Sequence, residues 1–314
     1  MSPPRRTALG FLAALGTLAL AAPLLPQWAL FLVVVSLAKG LAAAGLLLLI
    51  RTGLVSFGQG LYFAAGAYAA GVAVNQFGVA DGALLALLGA LAAVSVSAVL
   101  GLLLARYRAI FFAMLSLAFS MILYGLLVKS PLLGSTDGFN VAVKTVFGVA
   151  VGRGPGRYGV YGLAAVVAFV AGVALDRYLR SNLGRLAPAV RDNELRVEYM
   201  GASAKNVVYL NLVVAAALAG AGGAITALAV GHVDPEMAYW TTSGEFVFVA
   251  ILSGTASVAA PFLGALLLEL LRSFAYEHAP NTWQLVMGAA MLAVILFLPD
   301  GIWSVFRARR RATQ

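Results

Sequence analysis

The sequence predicts an all-α polytopic membrane protein, with about ten transmembrane helices and both termini on the cytoplasmic side. Three observations carry this. The 314 residues are 62% hydrophobic and only 11% charged, more apolar surface than a soluble domain of that size can bury. Apolar runs of about 20 residues, enough to cross a hydrocarbon core about 30 Å thick, recur along the chain. The cations gather in alternate loops. Lipid offers no partners to backbone N–H and C=O groups, so such runs must be helices. The alternating short strands of a transmembrane barrel are absent. Many of the 34 glycines fall inside the runs, where small residues let helices approach closely.

The expected spans are 8–25, 28–50, 54–76, 83–105, 110–128, 159–175, 206–230, 244–252, 261–276 and 282–298. The first follows two arginines and contains Ala19-Leu20-Ala21, which imitates a signal peptide; the expectation is a retained first helix. Glycines open the third span to a break, and the eighth is short enough for a half-helix or re-entrant segment. An even count puts both termini on one side. Placing them inside leaves only Lys129, Lys144, Arg153, Arg157 and Arg272 outside, while the other loop cations, from Arg5 to Arg311, fall in the cytoplasm. Residues 1–314 thus read as one transmembrane domain, with an external loop at 129–158 and a cytoplasmic loop at 176–205. Gly53-x-x-Ser56 and Gly254-x-x-Ser257 are alike, but the match is too short to count as a repeat.

Much chemistry is excluded. The chain has no cysteine, hence no disulfide or thiol chemistry. It lacks GxxxxGK[ST], so no P-loop holds ATP. Leu54 to Gly58 misses the GxSxG nucleophile elbow at its first position. His232 and His278 have no metal-ligand spacing, and no acids pair at catalytic spacing. The net charge of +9 follows from the positive-inside bias and does not call for nucleic acid. The expectation is a transport protein, not an enzyme, with no cofactor of its own.

The cytoplasmic loop is the long polar interruption. Pro188 suits the first turn of a helix and Gly201 its stop. Asp192 and Arg196 are spaced i,i+4, acid first, which favours the helix. Glu194 and Glu198, also i,i+4, repel each other unless a basic surface meets them. Val190, Val197 and Met200 add apolar area. Either this is a solvated loop helix, or it docks in a groove of another protein and passes motion to the spans.

At this loop a family resemblance becomes specific. RDNELRVEYMGASAKNVVYLNLVVAAALAGAGGAI resembles the cytoplasmic loop and following helix of branched-chain amino-acid ABC importer permeases, the LivM/LivH family. GLVSFGQGLYFAAGAYAAG, FFAMLSLAFS, GSTDGFN, Glu245 followed by LSGTASVAAPFLGA, and LPDGIW resemble further segments of that family, in order, over nearly the whole chain. Ser253-Gly254, Ala260-Pro261 and the IRTG stretch depart from its usual residues, which bears on substrate rather than fold. The resemblance implies an ABC importer permease fold and transport of branched-chain or other hydrophobic amino acids. It implies a second permease subunit, expected to be a paralogue, two ABC ATPase subunits holding ATP and Mg, and an external substrate-binding protein. Arg191, Asp192, Glu194, Arg196, Glu198 and Gly201 would then form the ATPase-coupling helix. The expected location is the bacterial inner membrane. Alternatives are an importer for urea or short amides, an ion-coupled secondary transporter, which would need buried acids, and a channel.

Polar residues within the spans are the other candidates. Lys39 either lines a pathway near a substrate carboxylate, or snorkels, or pairs with an acid. Ser56, Gln59, Tyr62 and Tyr68 line the glycine-rich third span. A break there would aim helix N–H groups at a carboxylate; close helix packing is the other reading. Glu269 and Arg272, i,i+3, are expected to neutralise each other, and Asn211 to bridge helices. Thr136, Asp137, Asp234 and Glu236 are candidates for docking the binding protein, with His232 and Glu245 nearby, or else form a solvated rim.

Overall fold

The computed structural model describes residues 25–151, 158–278, 280–297 and 301–303, together with Thr17 and Ala22. The expected first span, residues 152–157 of the expected external loop, part of LPDGIW and the basic C-terminal run lie largely outside the described residues.

Eleven α-helices are present among the described residues: α1 Gln27–Arg51, α2 Gln59–Asn75, α3 Gly82–Leu104, α4 Ala109–Lys129, α5 Gly159–Arg180, α6 Asn182–Asp192, α7 Glu194–Tyr199, α8 Ala204–Val230, α9 Trp240–Ser253, α10 Ala260–His278 and α11 Trp283–Phe297. Of these, α1, α3, α4, α5 and α8 are long and apolar enough to cross a membrane. Helix α2 has 17 residues and α11 has 15, and α10 carries charge along its 19. Among the described residues, five of the expected spans therefore qualify by length and apolarity.

The core is a crossing of small residues. Helix α8 carries Ala-Gly-Ala-Gly-Gly-Ala at 219–224 and packs against α1, α2 and α3. A Cβ on Gly66 of α2 would lie 2.1 Å from the Gly220 carbonyl oxygen, and one on Gly223 would lie 1.9 Å from that of Phe63. The backbones touch, so dispersion replaces the hydrophobic drive that lipid cannot supply. Around the crossing, α1 and α8 are mostly buried, whereas α3 and α4 turn most of their apolar surface outward.

Two segments return toward mid-depth as irregular chain. After α1, Gly53 (φ +82°) reverses the backbone, and helix resumes only at Gln59. The expected span 54–76, which its glycines left open to a break, is thus non-helical over its first five residues. After α8, Gly231 (φ +73°) ends the helix, and a short strand and the 3-10 turn Pro235–Ala238 lead to α9. Helix α9 has 14 residues, about 21 Å, too short to cross.

The two Gly-x-x-Ser turns share two features. Gly53 and Gly254 both have positive φ, at +82° and +78°. Ser56 Oγ accepts from Gly58 N at 3.2 Å and Ser257 Oγ from Ala259 N at 3.3 Å. Arg51 Nε donates to the Thr255 carbonyl at 3.1 Å, joining the two turns. The sequence match too short to count is a repeated helix-reversing element, because glycine stops the helix and the hydroxyl holds the backbone two residues on.

At the opposite end, the described part of loop 129–158 is structured. Strand β1 (Phe139–Asn140) pairs antiparallel with β4 (His232–Val233), and β2 (Thr145–Val146) with β3 (Val149–Ala150). Phe147 and Gly148, both at positive φ, form the two-residue turn of the β2–β3 hairpin. Asp81 caps α3 through Ala83 N at 2.9 Å, and its other oxygen accepts from Gly148 N at 2.9 Å.

Candidate functional site

The polar loop differs from the single helix expected. Helix α6 begins at Asn182, so Pro188 sits inside it, not in a first turn. Asn193 then leaves helical geometry (φ −162°, ψ 102°) and its side chain caps α7 by accepting from Arg196 N at 3.0 Å. The break puts Asp192 and Arg196 on different helices, so their i,i+4 pairing is lost. Gly201 (φ +84°) closes α7: its N–H reaches the Glu198 carbonyl at 2.9 Å and that of Ala202 reaches Val197 at 3.2 Å.

Val190 and Val197 are buried against the bundle beside Leu49, Leu54 and Val207, so they anchor the loop rather than face outward. Of the apolar residues expected to contribute to docking, only Met200 is exposed, together with Leu195 and Tyr199, which is 90% exposed. Sequence reasoning passed over Leu195 and Tyr199, although their i,i+4 spacing beside Glu198 was a signal. Arg191, Asp192, Arg196 and Glu198 are exposed. Glu194 does not merely repel Glu198: it forms an ion pair with Arg108 of the α3–α4 turn.

Four charges meet between α1, α9 and α10. Lys39 Nζ lies 2.9 Å from Glu245 Oε1 and 2.6 Å from Glu269 Oε1. Arg272 reaches Glu245 at 2.7 Å and Glu269 at 3.5 Å. The expected Glu269–Arg272 pair is therefore one edge of a four-membered network with no net charge. Of the readings open for Lys39, this arrangement is the pairing one. Glu245 is held inside and is not available as a rim residue. A cleft of about 230 Å³ borders the network at Glu269 and Arg272, with Trp28 and Phe31 on its other wall.

Gln59 sits in the first turn of α2 with its Nε2 bonded to the Ala42 carbonyl at 3.0 Å and the Ala215 carbonyl at 3.1 Å. It bolts α2 to α1 and α8. Ser56 is buried and spends its oxygen on Gly58 N. Tyr62 is packed in the core with Phe63 and Phe246. Tyr68 stacks edge-on with Phe139 at 5.6 Å; its buried hydroxyl has no hydrogen-bond partner, nor has the buried Oδ1 of Asp234, whose charge it feels. The five pathway candidates are thus strung along α1 and α2, and do not converge on one cavity.

The N-termini of α2 and α9 do converge. Gly60 N donates to Ser243 Oγ at 2.8 Å, and a Cβ on Gly60 would lie 3.1 Å from the Met237 carbonyl oxygen. Ser120 of α4 donates to the Ala238 carbonyl at 2.8 Å, and Ser116 accepts from Phe57 N at 3.1 Å. Counting 1.5 Å per residue along α4, this meeting point is about 10 to 16 Å from the loop end. Ser116, Ser120 and Ser243 were missed; a serine pair at i,i+4 in an apolar helix was the available signal.

Asn211 bridges helices as expected: it donates to Thr52 Oγ1 at 2.9 Å and accepts from Tyr178 at 2.7 Å. The docking candidates come together by strand pairing. A Cβ on Gly138 would lie 1.9 Å from the Val233 carbonyl oxygen, so the turn carrying exposed Thr136 and Asp137 is clamped beside Asp234. Glu236 is exposed on the adjoining 3-10 turn.

Long apolar helices around a small-residue crossing, with two helix N-termini meeting at half depth, define a multi-pass membrane protein of the permease class. The chain belongs to the family described as "Branched-chain amino acid transport system / permease component", whose model matches residues 28–295. It is 26% identical over 282 residues to the high-affinity branched-chain amino acid transport system permease protein LivM of Escherichia coli K12, covering 82% of this chain and 65% of that protein. Similarity at the same identity extends to LivM of Salmonella typhimurium. The Pseudomonas aeruginosa permease protein BraD is 28% identical over 142 residues, 45% of this chain and 46% of that one. The chain spans about 65% of the length of the LivM relatives. No solved structure matches it.

Proposed function

We propose that this chain is the membrane-spanning subunit of an ATP-driven importer that moves branched-chain or other hydrophobic amino acids from an external binding protein into the cytoplasm. Two ATPase subunits, carrying the ATP and Mg, dock on the α6–α7 loop, and a second permease subunit, a paralogue, completes the pathway. The hairpin end faces outward in the inner membrane, with Thr136, Asp137, Asp234 and Glu236 as the receiving surface.

The observation that carries the reading is the build of α7. Buried Val197 fastens it to the bundle, while Leu195, Tyr199 and the adjoining Met200 stand exposed among Arg196 and Glu198. An apolar helix face with a charged rim is what a groove on another protein takes up. The family and the names of the relatives support the cargo class. The neutralised charge network weighs against ion coupling, because both of its acids already have their cations.

The test is uptake into proteoliposomes holding this chain, its neighbouring permease, the ATPases and the binding protein, with leucine and urea offered together. Leucine uptake requiring ATP and the binding protein is expected. Urea uptake alone would overturn the cargo, and uptake without ATPase would overturn the mechanism. Tyr199→Asp is expected to strip the ATPase from the purified permease while leaving the permease folded.

A further inference from the structure

Helix α4 touches three things that a transporter must move together. At its start, Arg108 pairs with Glu194 of α7. The same guanidinium donates to the Ala105 carbonyl at 2.7 Å and the Tyr107 carbonyl at 2.9 Å, which fixes it across the α3–α4 turn. Next to it Ala109 takes φ +49°, a left-handed conformation that a side chain resists and that surrounding contacts must enforce. Further along, Ser116 holds Phe57 N of the segment leading into α2. One turn on, Ser120 holds the Ala238 carbonyl of the segment leading into α9. Tyr124 then packs on Tyr239, with ring centroids 4.9 Å apart. Phe112, Ser116, Ser120 and Tyr124 recur every four residues and so form one stripe.

Leu115, Phe119, Leu123 and Leu127 continue the buried face beside that stripe, and the opposite face of α4 is bare. Ile110, Phe111, Met114, Ile122 and Leu126 are all more than half exposed. Contrast α1 and α8, whose backbones interlock at glycines and cannot slide without repacking. A helix held along one face only can shift as a rigid rod, since its own hydrogen bonds keep its length constant.

We infer that α4 transmits movement of the α6–α7 loop to both helix N-termini at half depth, with Arg108 gripping the loop and Ser116 and Ser120 gripping the two returning segments. The inference rests on the importer reading above. Displacing Glu194 pulls Arg108. Ser116 and Ser120 follow, carrying Phe57 and Ala238, and the Gly60–Ser243 contact between the two N-termini opens or closes. Arg108, Ser116 and Ser120 are positioning residues in this account.

The test measures leucine imported and ATP hydrolysed in the same proteoliposomes of the full complex. Arg108→Glu is expected to lower leucine imported per ATP about 5- to 100-fold, the range of an ordinary coupling energy, while the ATPase stays bound and active. Restoring the pair in reversed order, with Arg108→Glu plus Glu194→Arg, is expected to recover the ratio. Ser120→Ala should fall in the same direction and Ser120→Thr, which keeps the hydroxyl, should not. An unchanged ratio in Arg108→Glu would overturn the inference. So would loss of ATPase binding in that variant with no recovery on reversal, since Glu194 would then serve docking alone. If the unsubstituted complex imports nothing with ATP, it is the importer reading that fails.

Discussion

Removing the Lys39 ammonium should destabilise the protein by about 3–5 kcal/mol, the cost of breaking a buried ion pair from one side. The geometry explains why the figure belongs at this site. Lys39 lies 2.9 Å from one carboxylate and 2.6 Å from another, and the side chains of Lys39, Glu245 and Glu269 are 12–15% exposed. In Lys39→Met, Glu245 keeps Arg272 at 2.7 Å, but Glu269 retains only the weak contact at 3.5 Å. One buried charge is thus left nearly alone. Adding Glu269→Gln removes that charge, and the double variant should recover to within about 1–2 kcal/mol of the unsubstituted protein. The assay is equilibrium or thermal unfolding in nanodiscs across the double-mutant cycle, followed by retention of the monodisperse folded form. A single variant as stable as the parent, or a double variant no better than the single, would refute the argument that charge compensation holds α1 to α9 and α10.

Other outcomes follow from the packing and the loops. Gly223→Ala places a methyl 1.9 Å from backbone at Phe63, so it should cost about 1–3 kcal/mol or more in nanodisc unfolding, whereas Gly162→Ala, with nothing within 4 Å, should be neutral. Asn211→Ala leaves buried Thr52 and Tyr178 without a shared partner and should cost about 1–3 kcal/mol in the same assay. Asp81→Ala should cost about 1 kcal/mol through the lost cap and should loosen the β2–β3 hairpin, read as faster amide exchange at Gly148. Donation by Gly148 N–H, and after it by Ala83 and Leu84, holds the Asp81 carboxyl below the ordinary carboxylate range. Its contribution is therefore present above about pH 4 and is lost as pH falls through the depressed value, so parent and variant should converge in acid.

The coupling loop shows where local rules stop. Gly201 was legible, because only glycine takes the left-handed position cheaply. Pro188 was not, since the six residues before it, 182–187, could extend the helix upstream once Ser181 capped it. The Asn193 break follows from its side chain capping a new helix, a choice that helical spacing alone cannot register. Glu194 looked repelled by Glu198 because Arg108, far away in the chain, was invisible as its partner. Likewise Lys39 and Gln59 drew attention as polar groups in apolar runs, but the runs do not say whether such groups face a pathway or another helix.

By itself the sequence determined the class of this protein and some of its helix stops, such as the one at Gly201. Composition, run length and cation bias are sums over local residues, and lipid leaves such residues no alternative to helix. Tertiary structure alone decided which charges compensate, which serines hold the returning segments, and that two helix N-termini meet at half depth. Those contacts join residues up to 230 positions apart, as Lys39 and Glu269 are, and their energy depends on distance in space rather than along the chain.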